Sequence, residues 1–231
     1  MPLIYSGRWL LPITSPPIPD GAIAIEREII VATGQRAQLV AEFPDAPVHD
    51  FVDAAILPGL VNAHSHLELT VMRGFLENEE SDFFAWLRKL TVARMSMTAE
   101  DLLASAMLGA IEAARAGITC VGDSSSVAIQ AMRALTSVGL RGIVYQESFG
   151  PDPKFAAENL ARLREQLSEM RASETNHVHA GVSPHAPYTV SGPQLENDLA
   201  AGNRREIAID DARRRIRSRE VFSNRRSRPI C

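Results

Sequence analysis

Ile56-Leu57-Pro58-Gly59-Leu60-Val61-Asn62-Ala63-His64-Ser65-His66-Leu67-Glu68 is an apolar run that delivers two histidines one residue apart. In a strand, side chains at i and i+2 leave the same face. His64 and His66 can therefore converge on one atom, and imidazole nitrogens hold zinc-like ions at about 2.0–2.1 Å. The plainer reading makes them ordinary polar residues at a strand end, and the spacing alone does not separate the two. Pro58-Gly59 lies inside the run, where a chain can turn between two domains.

Outward from this run the pattern differs on its two sides. Residues 1–55 read as short strands. Leu3-Ile4-Tyr5 and Trp9-Leu10-Leu11 flank a Ser6-Gly7 turn signal, and Ala22-Ile23-Ala24-Ile25 and Ile29-Ile30-Val31-Ala32 flank a Glu26-Arg27-Glu28 connection. From Ala55 onward strands alternate with helices, which argues for a parallel sheet or barrel. Strands are expected near 56–63, 118–122, 142–145 and 178–183. Helices are expected over 82–90, from Thr98, over 127–137, over 154–171 and from Ser191. Thr98 and Asp101 form a short capping-box pattern, as do Ser191 and Gln194. Leu102, Leu103, Ala106, Met107, Ala110, Ile111 and Ala114 share one face at helical spacing. Gly117 and Gly139 are placed as terminators.

The chain has 231 residues, 45% of them hydrophobic and 23% charged, an ordinary globular composition. A net charge of −4 gives no reason to expect nucleic acid or an anionic membrane as partner. Cys120 and Cys231 imply no disulfide framework. No basic segment leads into a long apolar core at the N-terminus, so no signal peptide is expected, and no apolar stretch reaches the ~18 residues of a membrane span. The expectation is a cytoplasmic enzyme. One feature is unusual: of 22 arginines, 10 fall between Arg204 and Arg228, while only Lys89 and Lys154 represent lysine. Residues 203–231 hold few large apolar side chains at any period and are expected to be disordered.

Leu57-Pro58-Gly59-Leu60-Val61-Asn62-Ala63-His64-Ser65-His66 resembles the first barrel strand of the amidohydrolase superfamily, in its metal-dependent deaminase and chlorohydrolase branch. Gly181-Val182-Ser183-Pro184-His185-Ala186-Pro187-Tyr188-Thr189-Val190-Ser191 resembles the fourth-strand motif of its adenosine-type, S-adenosylhomocysteine-type and related deaminases. Met72-Arg73-Gly74 and Phe84-Ala85-Trp86-Leu87 fit between them, and the likeness covers about residues 1–200. The form His64-Ser65-His66-Leu67-Glu68 is similar to aminofutalosine deaminase-like members. The resemblance implies a partial (β/α)8 TIM barrel over residues 56–202, with residues 1–55 as part of a small β-sandwich. A full barrel takes about 250 residues.

It also implies hydrolytic deamination, or dechlorination, of a small N-heterocyclic substrate. One divalent ion, zinc or else iron or manganese, activates the attacking water. On this reading His64 and His66 are metal ligands, His185 contacts the substrate ring, and Glu68 bonds substrate or a histidine. His185 is expected to donate to a ring nitrogen or carbonyl when the right tautomer is held. No lysine lies near position 185, which favours one metal over a lysine-bridged pair. Members that bind a ribose often carry a Glu where a count from Trp86 gives Met95, which argues against adenosine-like substrates.

The resemblance further implies a metal-binding His on a fifth strand with a Glu after it, a His on strand six and an Asp on strand eight. No histidine follows His185, so the catalytic Glu and Asp are unassigned. Two imidazoles fall short of the three protein ligands usual in catalytic zinc sites, so weak metal binding is expected. The chain is accordingly expected to be truncated or frame-shifted, with the arginine-rich tail read out of register; the alternative is a basic tail for an acidic partner. Two other readings stay open: a ring-opening cyclic amidase of the imidazolonepropionase kind, and a catalytically incomplete remnant. Open sheet edges would favour a homo-oligomer. Of the remaining residues, His177 and His179 read as solvated, His49 has no partner nearby in the sequence, Asp123, Gln146 and Glu147 read as strand-end residues able to line a pocket, and Cys120 reads as a small buried side chain. Phe83, Phe84, Trp86 and Leu87 read as core or lid packing.

Overall fold

The computed structural model describes residues 1–76, 81–203 and 228–229. It divides into two compact units at Gly59/Leu60.

In the first unit, β1 (Leu3–Leu10), β2 (Ile18–Glu26) and β3 (Ile29–Gln35) pair antiparallel. β4 (Val48–Asp50) and β5 (Ala55–Ile56) lie parallel to β1 on its other side. Helix α1 (Arg36–Glu42) sets Leu39 against Ile4, Ala22 and Ala24, a small core. Among the described residues this is one sheet with a helix on it. The expected turn at Ser6-Gly7 is not formed: both residues lie inside β1, opposite Ala22 and Gly21. The glycine serves proximity instead, since a Cβ at Gly7 would stand 2.8 Å from the Ala54 carbonyl oxygen. Ser6 is buried and donates to Asp50 Oδ1 at 3.1 Å. The β2–β3 connection is a tight turn with Arg27 at φ +57°, in the left-handed region.

The apolar run from Ile56 to Glu68 is split. Its first residue ends β5, and β6 (Leu60–Ser65) begins the second unit. Leu57 to Gly59 belong to neither strand, since Pro58 has no N–H to give a ladder.

In the second unit β6, β7 (Ile118–Ser125), β8 (Arg141–Ser148) and β9 (Val178–Pro184) form a parallel sheet in that order. Between and after them run α2 (Phe83–Met95), α3 (Ala99–Arg115), α4 (Ala128–Val138), α5 (Ala156–Ala172) and α6 (Gly192–Asn203). This is four βα units of a barrel that has eight.

The capping box of α3 is present: Thr98 Oγ1 accepts from the Asp101 amide at 3.1 Å, and Asp101 Oδ2 accepts from the Thr98 amide at 2.9 Å. Its buried face is Leu102, Ala106, Gly109, Ala110 and Ala113. Ile111, expected on that face, is 43% exposed. The stripe turns because the 3-10 helix Leu67–Met72 packs at Gly109, where a Cβ would collide with Thr70 Oγ1. Helix α4 ends at Gly139 with φ +82°, as its sequence position predicts.

On β8 burial alternates. Gly142, Val144, Gln146 and Ser148 are buried, while Arg141, Ile143, Tyr145 and Glu147 are partly open. Val144 joins Val121, Val178, Ala180, Leu135 and Leu167 in one core between sheet and helices. Each fully buried Leu or Val there stabilises the fold by about 1.5–3 kcal/mol. Helix α2 has no buried residue, and Phe83 and Phe84 are exposed, so core packing is not their role among the described residues. Gln194 does not complete the Ser191 capping box. It is fully buried and donates to Ser148 Oγ and Asp198 Oδ1, each at 2.8 Å.

Most of the arginine-rich tail lies outside the described residues; of it, β10 (Arg228–Pro229) pairs antiparallel with β3. No helix among the described residues is long and apolar enough to cross a membrane.

Candidate active site

All four strands of the parallel sheet end on the same side, the side where barrels of this kind carry their chemistry. β6 ends on His64, Ser65 and then His66; β7 ends on Asp123, Ser124 and Ser125; β8 ends on Glu147 and Ser148; His185 follows β9.

The His64 and His66 rings lie 5.0 Å apart at 89° to one another. His64 is exposed and His66 half-buried. His66 Nδ1 stands 2.5 Å from the Ser124 carbonyl oxygen. A carbonyl only accepts, so Nδ1 carries the proton, and in the neutral ring Nε2 keeps the lone pair. That arrangement, with the far nitrogen donating to a carbonyl, fixes ring orientation in metal-ligating histidines. The two rings thus stand edge to face at the strand end. Among the described residues no group of three or more His, Cys, Asp or Glu is placed to hold an ion, so the set present is two imidazoles.

Glu68 does not continue the face of His64 and His66. The strand stops at Ser65, and Glu68 enters the 3-10 helix with 1% of its surface exposed. Its carboxyl lies behind the strand end, beside Asp123 and near His66. Asp123 is fully buried, and its Oδ1 accepts from the Leu67 amide at 2.8 Å. Burial pushes Asp123 up to about 7, and the neighbouring Glu68 charge adds to this; bonds from the Leu67 amide and the Ser65 side chain oppose it. Burial also raises Glu68, against a bond from Ser125. Glu68 Oε2 and Asp123 Oδ2 are buried and lack a hydrogen-bond partner among the described residues. Two adjacent buried carboxyls retain a proton more readily than either alone. In the sequence Asp123 reads as a pocket-lining residue; its tie to Leu67, 56 residues away, has no local signature.

His185 is exposed, and its amide donates to the Ser148 carbonyl at 3.1 Å. Its Nδ1 lies 2.9 Å from Thr189 Oγ1, which itself donates to the Ala186 carbonyl at 3.1 Å. Phe149 stacks on the ring with centroids 4.4 Å apart, which fixes its plane. β6 and β9 are the two outer strands of the sheet, three steps or about 14 Å apart if flat. His185 therefore shares the chemical end of the sheet with the pair but sits at the opposite edge.

The other histidines lie elsewhere. His177 precedes β9 at the far end of the sheet and is exposed; His179 lies within β9 and is half-buried. His49 belongs to the first unit and stacks on Tyr5 at 5.6 Å. Cys120 is half-buried on β7. A groove of about 590 Å³ is lined by Val71, Met72, Phe75, Met97 and Leu108, and none of the candidate residues faces it.

The sequence profile of the Amidohydrolase family matches residues 55–210. The chain belongs to the amidohydrolase family. It is 30% identical over 216 residues to a 5-methylthioadenosine/S-adenosylhomocysteine deaminase of Syntrophobacter fumaroxidans, covering 91% of this chain and 49% of the relative. A protein of the same name from Nitratidesulfovibrio vulgaris is 33% identical over 174 residues, covering 74% of this chain and 39% of the relative. The chain thus spans about half the length of these amidohydrolases or less. Helicobacter pylori aminofutalosine deaminase in complex with methylthio-coformycin superposes with a TM-score of 0.71 at 21% identity, over 86% of this chain and 47% of its own. An adenosine deaminase from Xanthomonas campestris with bound zinc gives 0.68 at 24% identity, over 86% and 46%. At these identities the likeness is one of fold. The amidohydrolase family is metal-dependent, and zinc is the ion bound in the Xanthomonas protein.

Proposed function

We propose that this chain contributes His64 and His66 to the divalent-metal site of an amidohydrolase that removes an amino group from a small N-heterocycle by hydrolysis. One observation carries the reading: two imidazoles 5.0 Å apart at a barrel strand end, with His66 fixed through Nδ1 so that Nε2 is free to ligate. Neutral imidazoles suit zinc first, with iron or manganese as alternatives. A bound ion of this kind would lower the pKa of its water towards 7. The chain's own residues hold and orient. Ser124 sets the His66 tautomer, and Phe149 and Thr189 hold the His185 ring in one plane. His185 would meet the heterocycle through Nε2. Deamination is preferred over dechlorination because the relatives at 30% identity and above are named deaminases, whereas the triazine hydrolases share only the fold at 16–17% identity.

The test is a cobalt(II) or zinc titration of the purified chain and of His64→Ala and His66→Ala. Two ligands predict weak binding that either substitution abolishes. Ammonia release from methylthioadenosine, guanine and aminotriazines is assayed in parallel, and any turnover should vanish with His64→Ala. Unchanged metal binding, or turnover that survives either substitution, contradicts the proposal.

A further inference from the structure

β6 does not reach its histidines as a regular strand. Between the paired positions Asn62↔Val121 and Ser65↔Asp123, β6 advances three residues while β7 advances two. The extra residue is a β-bulge, a device that re-aims side chains. It falls on Ala63-His64. Three consecutive residues of β7 answer it. Gly122 admits the bulge, since a Cβ there would stand 2.7 Å from the Ala63 carbonyl oxygen. Asp123 Oδ1 accepts the Leu67 amide at 2.8 Å, and Asp123 lies in register with Ser65. The Ser124 carbonyl accepts His66 Nδ1–H. Each residue from Ala63 to Leu67 that is gripped flanks or carries an imidazole.

We propose that Gly122-Asp123-Ser124 is a cradle that sets the direction of both imidazoles, with Asp123 as the positioning residue at its centre. Asp123 acts by holding the chain on both sides of His66, through the strand register at Ser65 and through its carboxyl at Leu67. The proposal rests on the metal-site reading for its consequence but not for its geometry. Outer groups that orient metal-ligating histidines typically carry 10–100-fold in metal affinity. Asp123→Leu removes the acceptor while keeping bulk, whereas Asp123→Asn keeps an acceptor oxygen in the same place.

The experiment has two arms on the full chain. In the first, cobalt(II) affinity and the visible cobalt spectrum are compared for wild type, Asp123→Leu and Asp123→Asn. A loss of about 10–100-fold with an altered spectrum is expected for Leu, and near-complete rescue for Asn. In the second, nuclear magnetic resonance on metal-free wild type follows hydrogen exchange at the Leu67 amide and the His66 Nδ1 proton. Both should be protected, and both protections should fall in Asp123→Leu and persist in His64→Ala. This arm needs no variant to fold, because a Leu67 amide that exchanges in wild type like an exposed amide overturns the cradle by itself. Where wild type binds cobalt, equal binding by Asp123→Leu also overturns it. Protection at Leu67 and His66 in a wild type that binds no cobalt upholds the cradle geometry and overturns the metal-site reading instead.

Discussion

His64-Ser65-His66 and His177-Val178-His179 have the same spacing, and both lie at ends of strands in the same parallel sheet. Only the first pair lies at the end where the strands finish. There the backbone bulges, a carbonyl fixes one ring, and two buried carboxyls back the turn. The second pair sits where β9 starts. The His177 carbonyl accepts the Gly142 amide at 2.9 Å, Val178 is fully buried, and His179 lies in register with Ile143. That stretch is spent on pairing β9 to β8. A His-x-His pattern becomes a candidate site through strand polarity and through what the neighbouring strand presents to it.

The comparison breaks first on metal. His64→Ala or His66→Ala should reduce zinc affinity by at least about tenfold, measured by competition with a chromophoric chelator, whereas the double change His177→Ala, His179→Ala should leave it within about twofold. A larger loss from the second pair would reverse the assignment.

Next comes the strand contact itself. Gly122→Ala sets a Cβ 2.7 Å from the Ala63 carbonyl oxygen, a backbone atom that cannot swing aside. A loss of about 1–3 kcal/mol in urea unfolding is expected. A neutral result would mean that β6 is not held this close to β7.

A smaller effect is one of pH. Asp123 is raised from its ordinary 3.8 to about 7 by burial and by Glu68, and Glu68 is raised as well. Between about pH 4 and pH 7 the folded chain keeps protons that the unfolded chain has lost. Stability should therefore fall as pH rises through that window and level off above it. Asp123→Asn should flatten the slope; unfolding free energies across the same pH range, extended one unit above it, check this. The smallest effect is on stability at the second pair, where His177→Ala, at an exposed position, should change the unfolding free energy by less than about 0.5 kcal/mol.

Much of this was legible in the residues. The alternation of strand and helix from Ala55, the Thr98–Asp101 box and the Gly139 terminator are local patterns, and each recurs in the structure where its chemistry requires. The histidine pair at the end of an apolar strand was legible for the same reason. What escaped depends on contacts distant in sequence. Ser6-Gly7 reads as a turn until Ala54 arrives beside it. Gln194 reads as a helix cap until Ser148, 46 residues before it, takes its amide. Glu68 reads as a strand residue until the chain bends at His66 to give Leu67 to Asp123. The bulge at Ala63-His64 is invisible in β6 alone, because it is a mismatch between two strands.

Zinc titration of isotope-labelled protein, followed at the imidazole nitrogens, tests the central claim most directly. Nε2 of His64 and of His66 should shift together at the same zinc concentration, with His66 Nδ1 keeping its proton and His177 and His179 unmoved. Separate titration of the first two, or a shift of the second pair at lower zinc, contradicts the account.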